Sequence, residues 1–213
     1  KPPLGSGAYR IKKFEAGRSI SYERVKNYWA ADLPVNKGQS NFDEISYEYY
    51  RDRDVATEAF KSGAFDLRAE NQSKRWATAY DFPALKEGKV KKILIPHERP
   101  TGMQGFVFNT RKDFFSDPKV RLAINYAWDF EWTNKTLMYN AYKRTNSYFS
   151  NSELSSSGTL PEGEELKILL KFKGQVPGQV FDRVYKAPQT DGSGNNRKNL
   201  RLALKLLREA GWV

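Results

Sequence analysis

The one histidine, His97, stands in Pro96-His97-Glu98-Arg99-Pro100. An imidazole beside a carboxylate can act as a general base. Hydrolysis would also need a nucleophile and oxyanion donors. No serine in such a context lies near His97 in sequence, so the residues favour a ring that orients its loop by local hydrogen bonds. Gly5-Ser6-Gly7 has the look of a phosphate loop, but it precedes a strand pattern. A phosphate cradle needs a strand, then the glycines, then a helix N-terminus. The glycines read instead as a tight entry into a strand. Thr190-Asp191-Gly192-Ser193-Gly194-Asn195-Asn196 is half of a calcium loop without its closing glutamate, and Arg197-Lys198 would repel a cation. It reads as the loop that caps a helix. Tyr142, Tyr148 and Phe149 fall outside any helical or strand period, among Arg144, Thr145 and Ser147. Aromatics interleaved with polar groups in this way suit the wall of a ligand site. A guanidinium such as that of Arg144 matches a carboxylate with two parallel hydrogen bonds.

The elements that position these residues follow from period and punctuation. Residues 8–14 and 19–25 alternate apolar and polar across Glu15-Ala16-Gly17-Arg18, which predicts an antiparallel hairpin. Residues 44–50 predict a further strand with an aromatic face. Asp54 is the expected cap of a helix through Val55, Ala56, Ala59 and Phe60 that stops at Gly63, and 65–68 read as a short strand. Ser73 opens a short helix through Trp76 and Tyr80, and Pro83 another turn of helix. Residues 89–95 and 104–110 predict strands, the second apolar enough to be central in a sheet. Asp117-Pro118 opens a helix carrying Val120, Ala123, Ala127 and Trp128, and another runs over 131–139. Residues 143–196 are irregular, with helical pieces near 162–170 and 177–182. Residues 199–210 form an amphipathic helix that stops at Gly211. Strands and helices alternate in the α/β manner.

Composition narrows the chemistry. The 213 residues include no cysteine, which excludes disulfides, thiolate metal sites and cysteine nucleophiles. One histidine leaves no histidine cluster for zinc or copper. Mean hydropathy is −0.74, and no long apolar run is present. The net charge of +11 divides as +5 over residues 1–110 and +6 over the rest, so the excess is no basic tail. Such a field attracts anions without specificity, and a nucleic-acid reading would need a fold motif beside it. The chain starts at Lys1 without a signal-like segment and ends with Trp212 and Val213 past the last helix, as an internal piece of a longer protein would.

Several runs resemble a known family. Gly5-Ser6-Gly7-Ala8-Tyr9-Arg10-Ile11, the returning Gly17-Arg18-Ser19-Ile20, Tyr28-Trp29 and Ala59-Phe60-Lys61-Ser62-Gly63-Ala64-Phe65-Asp66 are similar to segments of the oligopeptide and dipeptide extracellular solute-binding proteins. So are Phe106-Val107-Phe108-Asn109-Thr110-Arg111, Asp117-Pro118-Lys119-Val120-Arg121-Leu122-Ala123 and Leu206-Leu207-Arg208-Glu209-Ala210-Gly211-Trp212. Residues 82–85, 95–111, 130–134, 147–154 and 190–194 resemble the microcin C and peptide-uptake subgroup.

The resemblance implies an α/β fold of the two-lobed periplasmic-binding-protein type (class II, cluster C), with only part of each lobe here. Residues 1–108 would belong to the first lobe; residues 109–213 would supply the end of the hinge strand and the start of the second. It implies the substrate-binding component of an ABC importer that takes short peptides or peptide conjugates in a cleft between lobes, works without catalysis or cofactor, and hands its ligand to an inner-membrane permease. It further implies a periplasmic monomer that binds no nucleic acid. Extended peptide would be held by backbone hydrogen bonds, like an added strand. The implied peptide-binding residues are Phe108, Asn109 and Thr110 at the hinge strand, then Tyr142, Arg144 and Tyr148, with Asn71. The rival readings are a basic module for nucleic acid or acidic surfaces, and a hydrolase built on His97.

Overall fold

The computed structural model describes residues 3–156 and 158–212. The readings at Lys1, Pro2, Ser157 and Val213 lie outside the described residues. In chain order the elements are strands β1 (Tyr9–Glu15), β2 (Ser19–Arg24) and β3 (Glu44–Glu48), then helices α1 (Arg53–Lys61), α2 (Ser73–Thr78), α3 (Pro83–Lys86), α4 (Asp113–Ser116), α5 (Pro118–Ala127), α6 (Phe130–Leu137), α7 (Gly163–Leu170), α8 (Gln179–Asp182) and α9 (Arg197–Glu209). They fall into two units. One runs up to Asn71 and includes Asp81–Val90; the other holds Gln72–Tyr80 and the chain from Lys91 onward.

In the first unit β1, β2 and β3 form an antiparallel sheet in that order. Gly17 takes φ +73°, and the Arg18 N–H donates to Glu15 O at 3.0 Å, closing the expected hairpin. Register puts Ile11, Tyr22 and Ile45 abreast, with Ile20 beside Tyr47, so one face is aromatic and aliphatic. Tyr22 and Tyr47 meet edge to face at 6.0 Å. The other face is charged: Arg10 pairs with Glu23 at 2.7 Å, and Lys12 with Glu44 at 2.5 Å. That hydrogen bond and the Glu44 charge hold the Lys12 ammonium above its ordinary pKa.

Helix α1 starts two residues earlier than the sequence reading placed it. Asp52, not Asp54, is the N-cap, and its carboxylate accepts from the Asp54 and Val55 N–H groups at 2.7 and 3.0 Å. Asp52 is the residue with extended backbone, and only there does the side chain reach the free N–H groups ahead. The stop at Gly63 is as expected. At φ +82° it lets its own N–H reach Phe60 O and that of Ala64 reach Ala59 O. An aromatic cluster packs beside this helix: Phe60 with Phe65 at 5.5 Å, Phe65 with Tyr50 at 5.9 Å, and Phe60 with the buried Phe82 at 6.5 Å.

In the second unit α5 packs on α9. The contact uses small residues, Ala123 (1% exposed) and Ala203 (5%), with Val120 beside them. Asp117 caps α5 by accepting from the Lys119 N–H at 2.7 Å, with Pro118 at the first turn, as the sequence implies. Gly211 at φ +84° ends α9; its N–H donates to Arg208 O and that of Trp212 to Leu207 O.

Three expected strands are not formed. Residues 65–68, 89–95 and 104–110 have no ladder partner among the described residues, where the sheet stops at three strands. Leu94 (80% exposed), Phe106 (87%) and Val107 (91%) are open rather than central. Apolar alternation sets which way side chains point. A strand also needs a neighbour whose N–H and C=O groups face its own.

Replacing Ala123 by Leu should overpack the α5–α9 contact and lower stability by about 1–3 kcal/mol. Urea unfolding followed by circular dichroism checks this; an unchanged midpoint would mean that the two helices do not meet there.

Candidate functional site

Within the second unit the end of α5 and the segment after α6 converge on Arg144. Asn125, on the last turns of α5, accepts a hydrogen bond through Oδ1 from Nη2 of Arg144. The next side chains supply a face: the guanidinium carbon lies 4.6 Å from the centre of the Trp128 ring and 5.3 Å from that of Phe130. The two rings meet edge to face at 6.0 Å, and Phe106 reaches Trp128 at 6.3 Å. Asn125 Nδ2 also approaches Tyr185 Oη at 3.4 Å. Arg144 is half-buried, and no carboxylate pairs with it among the described residues. Fixed by an amide and two rings, this cation can receive an anionic group with little further ordering.

The other sequence-predicted residues make their own local contacts. Phe108 packs on Phe115 with ring centres 4.8 Å apart. Asn109 is exposed and turns its own backbone, its Oδ1 accepting from the Arg111 N–H at 3.2 Å, with Thr110 exposed inside that turn. Tyr142 is gripped through its backbone. Its N–H donates to Asn134 Oδ1 at 3.1 Å, and its carbonyl accepts from Asn134 Nδ2 at 2.8 Å. The corner before it is bent by Tyr139 and Asn140, at φ +55° and +58°. Tyr148 is exposed, next to Ser147, a buried hydroxyl that accepts from the Phe149 and Ser156 N–H groups. Asn71 belongs to the first unit and is exposed. Phe106 thus shares the Trp128 ring with Arg144, while Asn109 bonds only within its own turn.

Asn125, Trp128, Phe130 and Tyr185 were not among the residues singled out from sequence. The available signal was the run Trp128-Asp129-Phe130-Glu131-Trp132, which alternates ring and carboxylate where α5 ends and α6 begins. Its carboxylates hold the Thr190–Asn196 loop. Asp129 caps α6 by accepting from the Trp132 N–H at 3.0 Å, and also from Thr190 Oγ1 at 2.5 Å. Glu131 accepts from the Thr190 N–H at 3.0 Å. Gly194, at φ +83°, lies so close to the Trp132 ring that a Cβ there would sit 2.9 Å from it. Asp191 accepts from the Ser193 hydroxyl and, at 2.9 Å, from the Ser193 N–H. These bonds hold its carboxyl below the ordinary value of 3.8. The loop leads into a helix, as expected, but Asn196 at the N-cap of α9 turns its amide away. Its Nδ2 donates to Tyr126 O and Ala127 O, the last carbonyls of α5, at 3.1 Å each.

His97 takes a local bond. Its Nδ1 accepts from the Arg99 N–H at 3.3 Å. No group of three or more His, Cys, Asp or Glu among the described residues could hold a metal ion. No helix among them is long and apolar enough to cross a membrane.

Comparison with known proteins gives one consistent picture. The model of the bacterial extracellular solute-binding proteins, family 5, middle region, matches residues 1–213. The uncharacterized protein YejA of Escherichia coli K12 is 49% identical over 212 residues, covering 100% of this chain and 35% of that protein. The probable peptide-binding protein YejA of Agrobacterium fabrum is 49% identical over 214 residues, again covering 100% and 35%. Among solved structures, NikA from Brucella suis in complex with Fe(III)-EDTA superposes with a TM-score of 0.62 at 20% identity, covering 98% of this chain and 33% of that one. That likeness shows the fold. The chain spans about a third of the length of the curated relatives it matches.

Gly194→Ala should cost about 1–3 kcal/mol, from the left-handed backbone and the collision with Trp132 together. A shift in tryptophan emission alongside reduced thermal stability checks it. Unchanged emission would mean that Gly194 does not approach the ring. Because the Asp191 carboxyl is held low, its contribution is full above pH 3.8 and is lost as pH falls through its folded value. Asp191→Asn should therefore flatten the acid limb of the stability profile.

Proposed function

The chain belongs to the bacterial extracellular solute-binding proteins of family 5, and on that premise we propose that it is part of the substrate-binding component of an ABC peptide importer, taking short peptides or peptide conjugates. The observation that carries this reading is Arg144. A guanidinium stacked on Trp128 and Phe130 and steadied by Asn125, with no carboxylate partner among the described residues, is prepared for a carboxylate that arrives with a ligand. Supporting it, the relative from Agrobacterium fabrum is described as a probable peptide-binding protein. The resemblance to the peptide-uptake subgroup rests on the same residues that these 49% identical relatives cover.

In this reading the protein acts in the periplasm by binding, as a monomer that delivers its ligand to an inner-membrane permease. The ligand lies in a cleft between two lobes of the longer protein, with residues 1–108 part of the first and 109–213 the start of the second. Phe108, Asn109, Thr110, Tyr142, Tyr148 and Asn71 are retained as contacts to be tested singly. A nucleic-acid module is the less favoured alternative, since even charge without a recognition motif explains neither the family match nor the Arg144 cradle.

Calorimetry with a mixture of short peptides, on this chain and on the full-length gene product, tests the proposal. Loss of one charge-assisted contact costs about 1.5–3 kcal/mol, so Arg144→Ala should weaken binding by roughly ten- to a hundredfold. Arg144→Lys should recover only part of it, because an ammonium lacks the planar fork and the ring stacking. Unchanged affinity in Arg144→Ala would remove that residue. Binding that collapses steeply between low and moderate salt would favour the nucleic-acid alternative.

A further inference from the structure

Helix α9 has two faces of different chemistry. Asn199 and Ala203 are buried towards α5. At 3.6 residues per turn, Arg197, Arg201, Lys205 and Arg208 recur on the opposite side and form one crest about 16 Å long. All four are exposed. Against them stands a single carboxylate, Glu209, which Lys205 reaches at 4.0 Å and Lys119 of α5 at 3.4 Å. Arg197, Lys198 and Arg201 have no ion-pair partner among the described residues. Leu200 and Leu204, 48% and 46% exposed, flank the crest. An open cavity of about 640 Å³ runs along it, lined by Asn195, Arg197, Lys198, Arg201, Leu202 and Lys205.

We propose that this crest of α9 docks on the phosphate headgroups of an anionic membrane surface. Charge complementarity selects an anion, and the crest's shape selects a flat, extended one. The cations project from the outer face of a helix on long side chains, and the cavity along them is open rather than closed around a single acidic side chain. Leucines beside a basic crest are the pattern of helices that lie in a headgroup layer. An extracellular solute-binding protein works beside a membrane face, so such a surface is within reach of the crest. The inference stands on α9 alone and is independent of which ligand Arg144 receives.

Co-sedimentation with vesicles of phosphatidylglycerol and phosphatidylcholine, against phosphatidylcholine alone, tests it on this chain and on the full-length product. Binding is expected to the anionic vesicles only, and to fade at high salt. Each cation near such a surface strengthens partition roughly fivefold. The triple variant Arg197→Glu, Arg201→Glu, Lys205→Glu should therefore lose on the order of a hundredfold or more. Reversing Lys13, Lys37 and Lys112 instead should have a much smaller effect. The Arg197→Lys, Arg201→Lys pair should keep binding, since the charge is kept. Should the Glu triple lose helicity by circular dichroism, the corresponding Gln triple is read in its place. Equal losses from both sets of reversals would overturn the proposal in favour of diffuse net charge. No binding to anionic vesicles would also overturn it, and retention on polyglutamate without vesicle binding would point to an acidic protein instead.

Discussion

The contact between α5 and α9 is the constraint on which the second unit depends. Ala123 and Ala203 let the two helices approach closely, and Asn196 then spends its amide on the last two carbonyls of α5 rather than on its own helix. The end of one helix is thereby satisfied by the start of the other. The proposed ligand site hangs from that junction. Asn125 and Trp128 leave α5 at its fixed end and meet Arg144, while Asp129 and Glu131 follow and hold the loop that leads into α9. The Arg144 cradle and the basic crest are two products of one helix pair.

The helices were legible because their signals are local. Asp117-Pro118, Gly63 and Gly211 mark ends through backbone chemistry that needs no distant partner. The hairpin of β1 and β2 was legible for the same reason. The 104–110 segment was not, because its pattern states only that it is apolar on alternate sides. Whether it pairs depends on residues far away in sequence, and among the described residues it has no ladder partner. The misplaced cap of α1 shows the limit on a smaller scale. Asp52 and Asp54 are chemically equal, and only the backbone angle distinguishes them.

Arg144 was legible as a candidate because arginine among aromatics outside a regular period has few structural uses. Its partners were not, since Asn125 sits 19 positions away and Trp128 looks like an ordinary residue of a helix face. The large side chains that remain exposed, such as Leu94, Phe106 and Val107, fit a chain that spans about a third of its relatives' length. Small buried residues carry the packing that is present, and no large side chain among the described residues is fully enclosed.

The grip of Asn134 on Tyr142 sets a condition on what can stand at position 134. One amide donates to a carbonyl and accepts from an N–H of the same residue, as a neighbouring strand would. Aspartate lacks the donor, leucine lacks both groups, and glutamine carries them one methylene too far out. Few side chains at position 134 could therefore hold the Tyr142 backbone in this way. Asparagine at 134 thus stands in for the strand neighbour that Tyr142 lacks, and fixes the residue's backbone whatever its ring meets.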